Sequence, residues 1–513
     1  MTQLDDRPTS TDTFTSLNPA TGEVVGTYPV HTAADVDAAV ARARASASWW
    51  EGLGFEGRKE VLDQWRGVLA RRVAVLVDVV HRETGKPHGD AQLEAALAID
   101  HLAWIASHAK KVLGPKKVFA GLLLANQAAS VEYRPLGVVG VIGPWNYPVF
   151  TPMGSIAYAL GAGNTVVFKP SELTPGVGHW LADSLREVVP DHDLLQVVTG
   201  NGSTGAALCR ADVDKVAFTG STATGKRVMA ACAERLVPVV IEAGGKDAML
   251  VDEDADIEAA ADAAAWGAFS NAGQTCTGIE RVYVHDKVHD AFLDALTRRA
   301  REVRSGHDPA ASYGPMTMPS QLDVVRRHVD DAIAKGGRAV VGGPEAVGDR
   351  FVQPTVLVDV PEDSEAVCEE TFGPTVVVNR VRSMDEAIER VNVGKYGLGS
   401  SVFSASRGEE IARRLRTGMT AINSVISFAA VPGLPFGGVG DSGFGRIHGP
   451  DGLREFCYAK AVTRTRFKAP LNLTTFERTA EQDAQVATLL TVLHGRATQL
   501  PKRPLRVRRH KNL

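Results

Sequence analysis

The stretch Val138-Val-Gly-Val-Ile-Gly-Pro-Trp-Asn-Tyr-Pro148 sets the pattern on which the fold prediction depends. It opens with a short apolar run, Val138 to Ile142, and then reaches two prolines that fix the backbone. Similar short runs recur between helical segments, at residues 165–168, 194–198, 215–218 and 238–241. This alternation predicts an α/β fold, with a parallel sheet covered by helices on both faces. It also predicts where a nucleotide binds, at the carboxyl ends of the strands.

Helical segments precede this sheet. Apolar periodicity predicts helices over residues 35–50, 56–83 and 92–112, which form a layer ahead of the sheet. Trp49, Trp50 and Trp65 lie in these helices and are expected in the core.

Composition limits the classes of function. A chain of 513 residues is too long for one core, so two large lobes are expected. A hydrophobic content of 44%, a charged content of 23% and a net charge of -4 are typical of a globular protein without a general attraction to nucleic acid. The five cysteines form no C-x-x-C pair and no zinc spacing, so no metal site is expected. Their odd number and the lack of a signal peptide predict a reduced, cytoplasmic setting.

Cys276 is the candidate nucleophile. It follows an Ala-rich helical pattern that Asn271 and Gly273 end, and it precedes a strand-like stretch at residues 281–285, so it is expected on a turn. Its neighbours Thr275 and Thr277 supply backbone N–H groups and little bulk, which suits a reactive thiolate. The alternative is a small side chain that fills space.

Two other segments supply possible partners for the thiol. Glu242 ends an apolar strand directly before a Gly-Gly turn and could act as a general base, or it could be an ordinary carboxylate at a strand end. Asn146 is flanked by prolines and could donate a hydrogen bond to a developing oxyanion, or it could belong to an ordinary Pro-rich turn.

Together these segments resemble the NAD(P)-dependent aldehyde dehydrogenase superfamily, in that family's order and over nearly the whole chain. The match extends from Leu17-Asn-Pro-Ala-Thr-Gly22 to Ser442-Gly-Phe-Gly-Arg446. The resemblance implies two parallel-sheet, Rossmann-like α/β lobes and a small β oligomerisation element. The implied boundaries are a NAD-binding domain at 1–118 and 136–243, a catalytic domain at 244–446, the oligomerisation element at 119–135 and 447–470, and a basic tail at 471–513.

The resemblance also implies where the cofactor binds. Gly200-Asn-Gly-Ser-Thr-Gly205 fits a dinucleotide fingerprint, but no acidic residue ends a strand about 20 residues later, so the loop at 218–225 is the better phosphate site. Glu172 favours NAD over NADP because its carboxylate would repel a 2'-phosphate, although NADP remains possible. The candidate cofactor residues are Ile142, Gly143, Pro144, Trp145, Lys169, Glu172, Gly202, Phe218, Gly220, Ser221, Gly225, Gly244, Glu370 and Phe372.

The implied activity is oxidation of an aldehyde to a carboxylic acid through a thiohemiacetal and a thioester on Cys276. Hydrolysis is favoured over transfer to coenzyme A because acylating relatives lack the equivalent of Glu242. A non-catalytic role is disfavoured because the catalytic and cofactor candidates are all present. The expected pocket residues are Tyr147, Thr151, Gly154, Phe269, Ser270, Thr275 and Thr277.

The substrate is left open between two classes. Small side chains at Thr151, Gly154 and Ser270 predict an open tunnel for bulky, aromatic or long-chain aldehydes. A semialdehyde such as succinate semialdehyde is the alternative, although no arginine can be assigned to its carboxylate. Loops at 418–424 and 434–446 are expected to complete the substrate mouth.

The remaining predictions concern assembly. By resemblance, strand-like stretches near residues 119–135 and 455–467 form the oligomerisation sheet of a homodimer or homotetramer. The tail carries an apolar helical stretch at 486–493 and basic residues at 501–511. These features could rest on an anionic membrane surface, but a free tail or one packed on the oligomer is favoured.

Overall fold

The computed structural model describes residues 12–469, 471 and 474–495. The strands are β1 Thr13–Leu17, β2 Val24–Pro29, β3 Lys116–Val118, β4 Gln127–Pro135, β5 Val138–Ile142, β6 Thr165–Lys169, β7 Leu195–Val197, β8 Lys215–Gly220, β9 Val239–Ala243, β10 Asp247–Val251, β11 Ile279–His285, β12 Arg338–Val341, β13 Thr355–Val358, β14 Thr375–Val381, β15 Ser400–Phe403, β16 Ala421–Ile422, β17 Gly443–Phe444 and β18 Cys457–Thr465. The α-helices are α1 Ala33–Gly52, α2 Gly54–Arg71, α3 Val73–Thr84, α4 His88–Leu113, α5 Phe150–Ala162, α6 Pro175–Arg186, α7 Gly202–Arg210, α8 Thr222–Ala233, α9 Ile257–Phe269, α10 His289–Glu302, α11 Gln321–Ala334, α12 Glu365–Cys368, α13 Met384–Val393, α14 Gly408–Ala412, α15 Ser427–Ala430, α16 Gly449–Glu455 and α17 Ala480–His494.

The first large sheet has the strand order β17-β9-β8-β5-β6-β7. Its pairings are parallel except that of β17 with β9. From β5 the chain continues to β6 and β7 on one side and then crosses to β8 and β9 on the other. The order therefore reverses between β5 and β8, and such a switch point is where open α/β sheets bind ligands.

The second large sheet has the order β12-β13-β14-β11-β10-β15-β16 and is parallel except at β12. Its central strands β11 and β14 are buried except at Arg380, and β14 is Val-rich, as expected where helices cover both faces. The α/β architecture with parallel sheets predicted from the sequence is therefore confirmed.

The chain divides into two compact units. The first, Met1–Gly114 with Tyr133–Ala459, contains both large sheets, and the second is Pro115–Glu132 with Lys460–Leu513. The second unit carries most of a three-stranded sheet of order β18-β4-β3 and also α17, which contains the predicted apolar stretch. Residues 447–459, expected in the small element, lie in the first unit because α16 packs on α4 and α5 there. The predicted basic stretch at 501–511 lies outside the described residues.

The predicted helical layer is confirmed with one correction. The single helix expected over residues 56–83 is wrong, because α2 ends at Arg71 and α3 begins at Val73. Arg72, with φ −109° and ψ 17°, leaves the helical conformation between them. Each helix still buries its own apolar stripe, so the periodicity continues through the break and could not reveal it.

The tryptophans of this layer pack as predicted. Trp50 and Trp65 are fully buried, and Trp49 is partly buried against the same core. The Nε1 groups of Trp50 and Trp65 donate to the Leu160 carbonyl (2.9 Å) and the Ser184 hydroxyl (2.8 Å), so their burial leaves no indole donor unpaired.

Candidate active site

The carboxyl edge of the first sheet gathers several of the predicted cofactor residues. Ile142 at the end of β5 lies in register with Lys169 of β6 on one side and Phe218 of β8 on the other. Gly143 donates its backbone N–H to the Lys169 carbonyl at 3.1 Å, and Pro144 and Trp145 follow it. These residues lie at the switch point described above.

Glu242 lies at the same edge, near the end of β9. It pairs with Thr219 of β8 on one side and with Gly443 of β17 on the other. The residue is 3% exposed, and neither carboxylate oxygen accepts a hydrogen bond at normal geometry from any described group. Burial raises the pKa of Glu242 to about 7, while the nearby Cys276 thiol and Thr219 hydroxyl pull it down. A carboxyl group with such a pKa is suited to general base catalysis.

The loop that carries Cys276 is a strained turn between two regular elements. Helix α9 is capped by Asp256, whose side chain accepts from the Ala259 N–H at 3.1 Å, and it ends at Phe269, just before the Asn271 and Gly273 that were expected to end it. Asn271 and Ala272 then adopt φ values of 51° and 56°, which are uncommon for residues other than glycine. This left-handed segment turns the chain sharply before Cys276.

Hydrogen bonds from a buried glutamine fix this turn. The Gln274 Nε2 donates to the carbonyls of Asn271 (2.9 Å) and Pro315 (3.2 Å), and its Oε1 accepts from the Thr317 N–H at 2.8 Å. A Cβ placed on Gly245 would lie 2.6 Å from the Cys276 carbonyl oxygen. The Gly-Gly turn after Glu242 can therefore approach the cysteine loop only because it lacks side chains.

Asn146 is tied to the same loop. Its Nδ2 donates to the Gln274 carbonyl at 2.9 Å, and its own carbonyl accepts from the Asn271 Nδ2 at 3.1 Å. Tyr147 is also tied to this loop, because its hydroxyl lies 3.0 Å from the Thr275 hydroxyl. Side-chain hydrogen bonds thus join the Pro-rich turn after β5, in the first large sheet, to the cysteine loop before β11, in the second large sheet.

A buried ion pair holds the Asn146 turn from behind. The Lys86 ammonium lies 2.8 Å from the Glu94 carboxylate and donates to the Asn146 carbonyl at 2.8 Å. The other oxygen of Glu94 accepts from the N–H groups of Val149 (2.7 Å) and Phe150 (3.1 Å). Both charged side chains are at most 1% exposed, so every hydrogen bond here forms away from water.

A second buried pair holds the loop before β14. Glu280 accepts from the Lys246 ammonium and from the backbone N–H groups of Thr371 and Phe372 (2.8 and 2.9 Å). Glu370, in the same loop, accepts from the Gly245 N–H at 2.9 Å, and burial raises its pKa to about 8.

Cys276 and Glu242 line one cavity of about 90 Å³. Burial, and then the charge of Glu242, raise the pKa of the Cys276 thiol well above its usual value. Ionisation of either Cys276 or Glu242 therefore disfavours ionisation of the other. The other lining residues are Asp90, Leu93, Glu94, Leu97, Tyr147, Phe150, Thr151, Trp266, Ser270, Asn271, Thr275, Thr277, Ile426, Ala429, Phe436, Ile447 and His448.

Comparison with known proteins assigns the family. The profile of the aldehyde dehydrogenase family matches residues 7–462. The chain belongs to that family. Its members are oxidoreductases.

Relatives named for two different aldehydes match the chain over most of its length. The chain is 36% identical over 494 residues to the 4,4'-diapolycopene aldehyde oxidase of a Methylomonas species, covering 96% of this chain and 93% of that protein. It is 39% identical over 454 residues to a Mycolicibacterium smegmatis protein provisionally named succinate-semialdehyde dehydrogenase [NADP(+)], covering 87% of each.

Solved structures agree on the fold. A NAD-dependent aldehyde dehydrogenase from Sinorhizobium meliloti superposes with a TM-score of 0.86 at 33% identity, over 91% of this chain and 94% of that one. An aldehyde dehydrogenase from Brucella melitensis superposes with a TM-score of 0.85 at 31% identity, over 89% and 95%. Aldehyde dehydrogenases use NAD or NADP as cofactor, and these relatives are named for both.

The described residues fit such a dinucleotide. A Cβ on Gly202, at the start of α7, would meet no atom within 4 Å, and one on Gly205 would meet only Ile142, at 3.9 Å. The edge of the sheet therefore has open space beside Ile142. Helix α8 begins there too, behind Ser221, whose side chain accepts from the Thr224 N–H, and helix N-termini attract phosphates.

The other predicted cofactor residues fall into small groups around this edge. The Lys169 ammonium lies 3.2 Å from the Glu172 carboxylate, and the Trp145 and Phe372 rings meet at 5.6 Å. Phe218 lies against Gly220 and Gly225, and the Gly244 carbonyl accepts from the Ser442 hydroxyl at 2.8 Å.

Two predicted pocket residues do not line the cavity. Phe269 is 1% exposed and lies in the core of the second lobe, whereas Trp266 and Ser270, one helical turn apart, face the cavity. Gly154 does not open the tunnel, because a Cβ there would lie 2.6 Å from the His448 ring. Tyr147, Thr151, Ser270, Thr275 and Thr277 do line the cavity.

Sequence reasoning missed two sets of lining residues. Asp90, Leu93, Glu94 and Leu97 follow an i, i+3, i+4, i+7 spacing on α4. The sequence therefore shows that they share one face of the helix, but not that this face lines the cavity. Loop 434–446 contributes Phe436, but loop 418–424 contributes no lining residue, and Ile426, Ala429, Ile447 and His448 serve instead. No local pattern marks these four, because they reach the cavity through tertiary contacts.

Proposed function

We propose that the protein oxidises an aldehyde to the carboxylic acid with Cys276 as nucleophile and Glu242 as general base. One observation carries the proposal, namely that the thiol and an almost fully buried carboxyl group line the same cavity. A nucleophile and a base in a shared, desolvated site are the parts that covalent acyl chemistry requires.

The steps follow from the positions of these groups. Glu242 takes the proton of the Cys276 thiol, and Sγ then bonds to the aldehyde carbon to form a thiohemiacetal. The Nδ2 of Asn146, oriented by its bond to Gln274, and the backbone N–H of Cys276 stabilise the oxyanion. Bound NAD would supply the oxidising power by accepting the hydride from that carbon. After releasing the thiol proton to solvent, Glu242 takes a proton from water, whose oxygen attacks the thioester carbon. The C–S bond then breaks, the thiolate takes the proton back from Glu242, and the acid leaves as a carboxylate after losing its own proton to solvent.

The cavity supports a bulky, aromatic or long-chain aldehyde as substrate. Its walls are largely apolar, from Leu93 and Leu97 on α4 to Phe150, Ile426 and Phe436. Among the described residues that line it there is no lysine or arginine, while Asp90 and Glu94 are acidic. A free carboxylate on the substrate would find no cationic partner in this lining.

The second candidate is succinate semialdehyde, favoured by the name of the Mycolicibacterium smegmatis relative. The acidic lining residues argue against it. Glu242 argues against coenzyme A as the acyl acceptor, because a base that activates water serves hydrolysis.

The cofactor preference follows from the Lys169–Glu172 pair. The Glu172 side chain is half exposed beside the Lys169 ammonium. By the family resemblance, Lys169 and Glu172 would hold the adenosine ribose hydroxyls, Ser221 and Gly225 would hold the phosphates, and Glu370 with Phe372 would bind the nicotinamide end. A carboxylate beside the 2'-hydroxyl supports NAD over NADP.

Setting and assembly are proposed on separate grounds. All five cysteines are free, which supports a reducing, cytoplasmic compartment. The sheet β18-β4-β3 has an exposed edge in β3, and pairing of such edges supports a homodimer or homotetramer. No described helix has the length and hydropathy needed to cross a bilayer.

The experiment measures NADH formation by the purified protein with straight-chain alkanals, benzaldehyde and succinate semialdehyde, each with and without coenzyme A. We expect kcat/KM to rise about fourfold per added methylene until the cavity is full, since each buried CH2 contributes about 0.8 kcal/mol. Turnover should not require coenzyme A and should vanish in Cys276→Ala. A strong preference for succinate semialdehyde would refute the proposed substrate class, and strict dependence on coenzyme A would refute hydrolysis.

A further inference from the structure

His448 combines features that a structural histidine does not need. It precedes α16 with φ 62° and ψ 161°, a backbone conformation that is essentially reserved for glycine. Its side chain is 1% exposed and lines the cavity that holds Cys276 and Glu242. Residues held in strained conformations cluster at functional sites.

The His448 ring lies among aromatic side chains and has no polar partner. The nearest rings are those of His101 (4.3 Å between centroids), Phe436 (5.3 Å), Phe150 (5.4 Å) and Tyr158 (5.6 Å). Neither ring nitrogen forms a hydrogen bond with any described group. A buried polar group without a partner is costly, so such a group calls for an explanation.

His101 is the internal comparison. Its ring also lies in this aromatic group, but its Nε2 is 3.1 Å from the Ala429 carbonyl and its Nδ1 is 3.3 Å from the Tyr158 hydroxyl. The Tyr158 hydroxyl also lies 3.1 Å from the Pro432 carbonyl, so its single proton can be donated either to that oxygen or to the His101 Nδ1. His101 therefore has hydrogen-bond neighbours at both ring nitrogens, whereas His448 has none among the described residues. Gly154 adds to the contrast, because its missing Cβ leaves the space that the His448 ring fills.

We propose that His448 is a substrate-binding residue that hydrogen-bonds an uncharged oxygen, a hydroxyl or carbonyl, carried by the aldehyde in addition to its reacting group. The proposal rests on the proposed function of this cavity. It narrows the substrate class from apolar aldehydes in general to oxygenated ones.

The charge state of the ring agrees with this class. Burial, and then the neighbouring His101, hold the pKa of His448 well below its usual value. The neutral ring offers one N–H donor and one acceptor, which match a hydroxyl or carbonyl group. It offers no positive charge to a carboxylate, so it does not favour a semialdehyde acid.

The test compares straight-chain alkanals with hydroxyalkanals of the same length in which the hydroxyl is moved along the chain. We expect the wild-type kcat/KM to be about tenfold higher for one hydroxyalkanal than for its parent alkanal. His448→Phe should remove that preference, so that the hydroxyalkanal and its parent alkanal have the same kcat/KM. His448→Asn, which keeps a hydrogen-bonding group, should retain part of it. Phe436→Leu, in the same aromatic group, should affect both members of each pair equally.

Binding separates this inference from the proposed reaction. The same pairs are titrated calorimetrically into Cys276→Ala and into Cys276→Ala/His448→Phe. A hydroxyl preference that disappears with His448 supports the inference even if no aldehyde is turned over, a result that would refute the proposed function alone. Equal binding of alkanals and hydroxyalkanals to Cys276→Ala, together with equal kcat/KM in the wild type, would overturn the inference. Water would then be the partner of His448. If His448→Phe does not fold, the wild-type and His448→Asn preferences decide the question.

Discussion

Two buried glutamates, Glu94 and Glu242, line the same cavity but have different charge and hydrogen-bond partners. Glu94 lies against the Lys86 ammonium and accepts two backbone N–H groups at the start of α5. Glu242 forms no ion pair with a described residue, and the groups that act on its oxygens are the uncharged Cys276 thiol and Thr219 hydroxyl. Glu94 thereby holds the turn of Asn146 through its partners, whereas Glu242 is left free to exchange a proton.

Glu280, in β11 of the second large sheet, has the same kinds of partner as Glu94. Glu280 faces Lys246 and accepts two backbone N–H groups of the loop before β14, as Glu94 does in the first lobe. Paired carboxylates thus position the loops on both sides of the site, and the unpaired one is left for chemistry. A buried group with no partner and a raised pKa is a functional candidate for this reason.

The largest expected effect comes from the nucleophile. Cys276→Ala should lower kcat by about 10⁴-fold or more, because loss of the attacking atom removes the covalent route. Steady-state NADH formation measures it, with Cys368→Ala as the matched control. Cys368 is an exposed free thiol, so its loss should change kcat less than about twofold. Substantial activity in Cys276→Ala would contradict the assignment of the nucleophile.

Glu242→Gln should lower kcat by about 10²- to 10⁴-fold, the usual contribution of a general base. In the wild type, kcat should rise with pH through about 7, because the base acts in its ionised form and burial raises its pKa to that value. The variant should lose this dependence and accumulate a thioester on Cys276, detectable by mass spectrometry.

The matched control is Glu258→Gln, which removes an exposed carboxylate from α9. It should keep the wild-type pH profile. An unchanged pH profile in Glu242→Gln would assign the base to another group.

The sequence predicted the fold better than it predicted the cavity. Short apolar runs fix strands such as β5 and β9 locally, and the turns after them carry Asn146 and Glu242. His448 could not be found in this way, since its importance lies in a strained backbone and a missing partner that only the folded chain reveals. Gly154 was misread for the same reason, because the space beside it is filled from a segment almost 300 residues away.

The pairing of Glu94 predicts a large loss of stability when it is changed. Glu94→Gln leaves the Lys86 ammonium buried without its counter-ion, and such a change costs about 3–5 kcal/mol. Thermal unfolding by calorimetry should show a lower midpoint, and Lys86→Met combined with Glu94→Gln should recover part of it. A midpoint equal to the wild type in the single variant would show that the pair is not a stabilising element.

The same substitution at Glu242 should stabilise the fold. Its pKa in the folded chain, about 7 against 4.5 when unperturbed, means that folding disfavours the ionised carboxylate. This cost is absent below about pH 4.5, grows as the pH rises and is complete above about pH 7. Glu242→Gln should therefore raise the unfolding free energy by at most about 3 kcal/mol at pH 8 and by little near pH 5. A decrease at pH 8 would mean that Glu242 has stabilising partners after all.

The smallest effect is expected at a third kind of carboxylate. Glu172 pairs with Lys169 like the satisfied glutamates, but its side chain is half exposed, so water screens the pair and little stability depends on it. Glu172→Ser should move the unfolding midpoint only slightly and should raise kcat/KM for NADP relative to NAD about tenfold, because it removes the charge expected to repel a 2'-phosphate. Asp183→Ser, which removes an exposed carboxylate from α6, should leave the NADP to NAD ratio unchanged. An unchanged ratio in Glu172→Ser would show that this carboxylate does not select the cofactor. The exposed Glu172 would then differ from the buried glutamates in function as well as in stability.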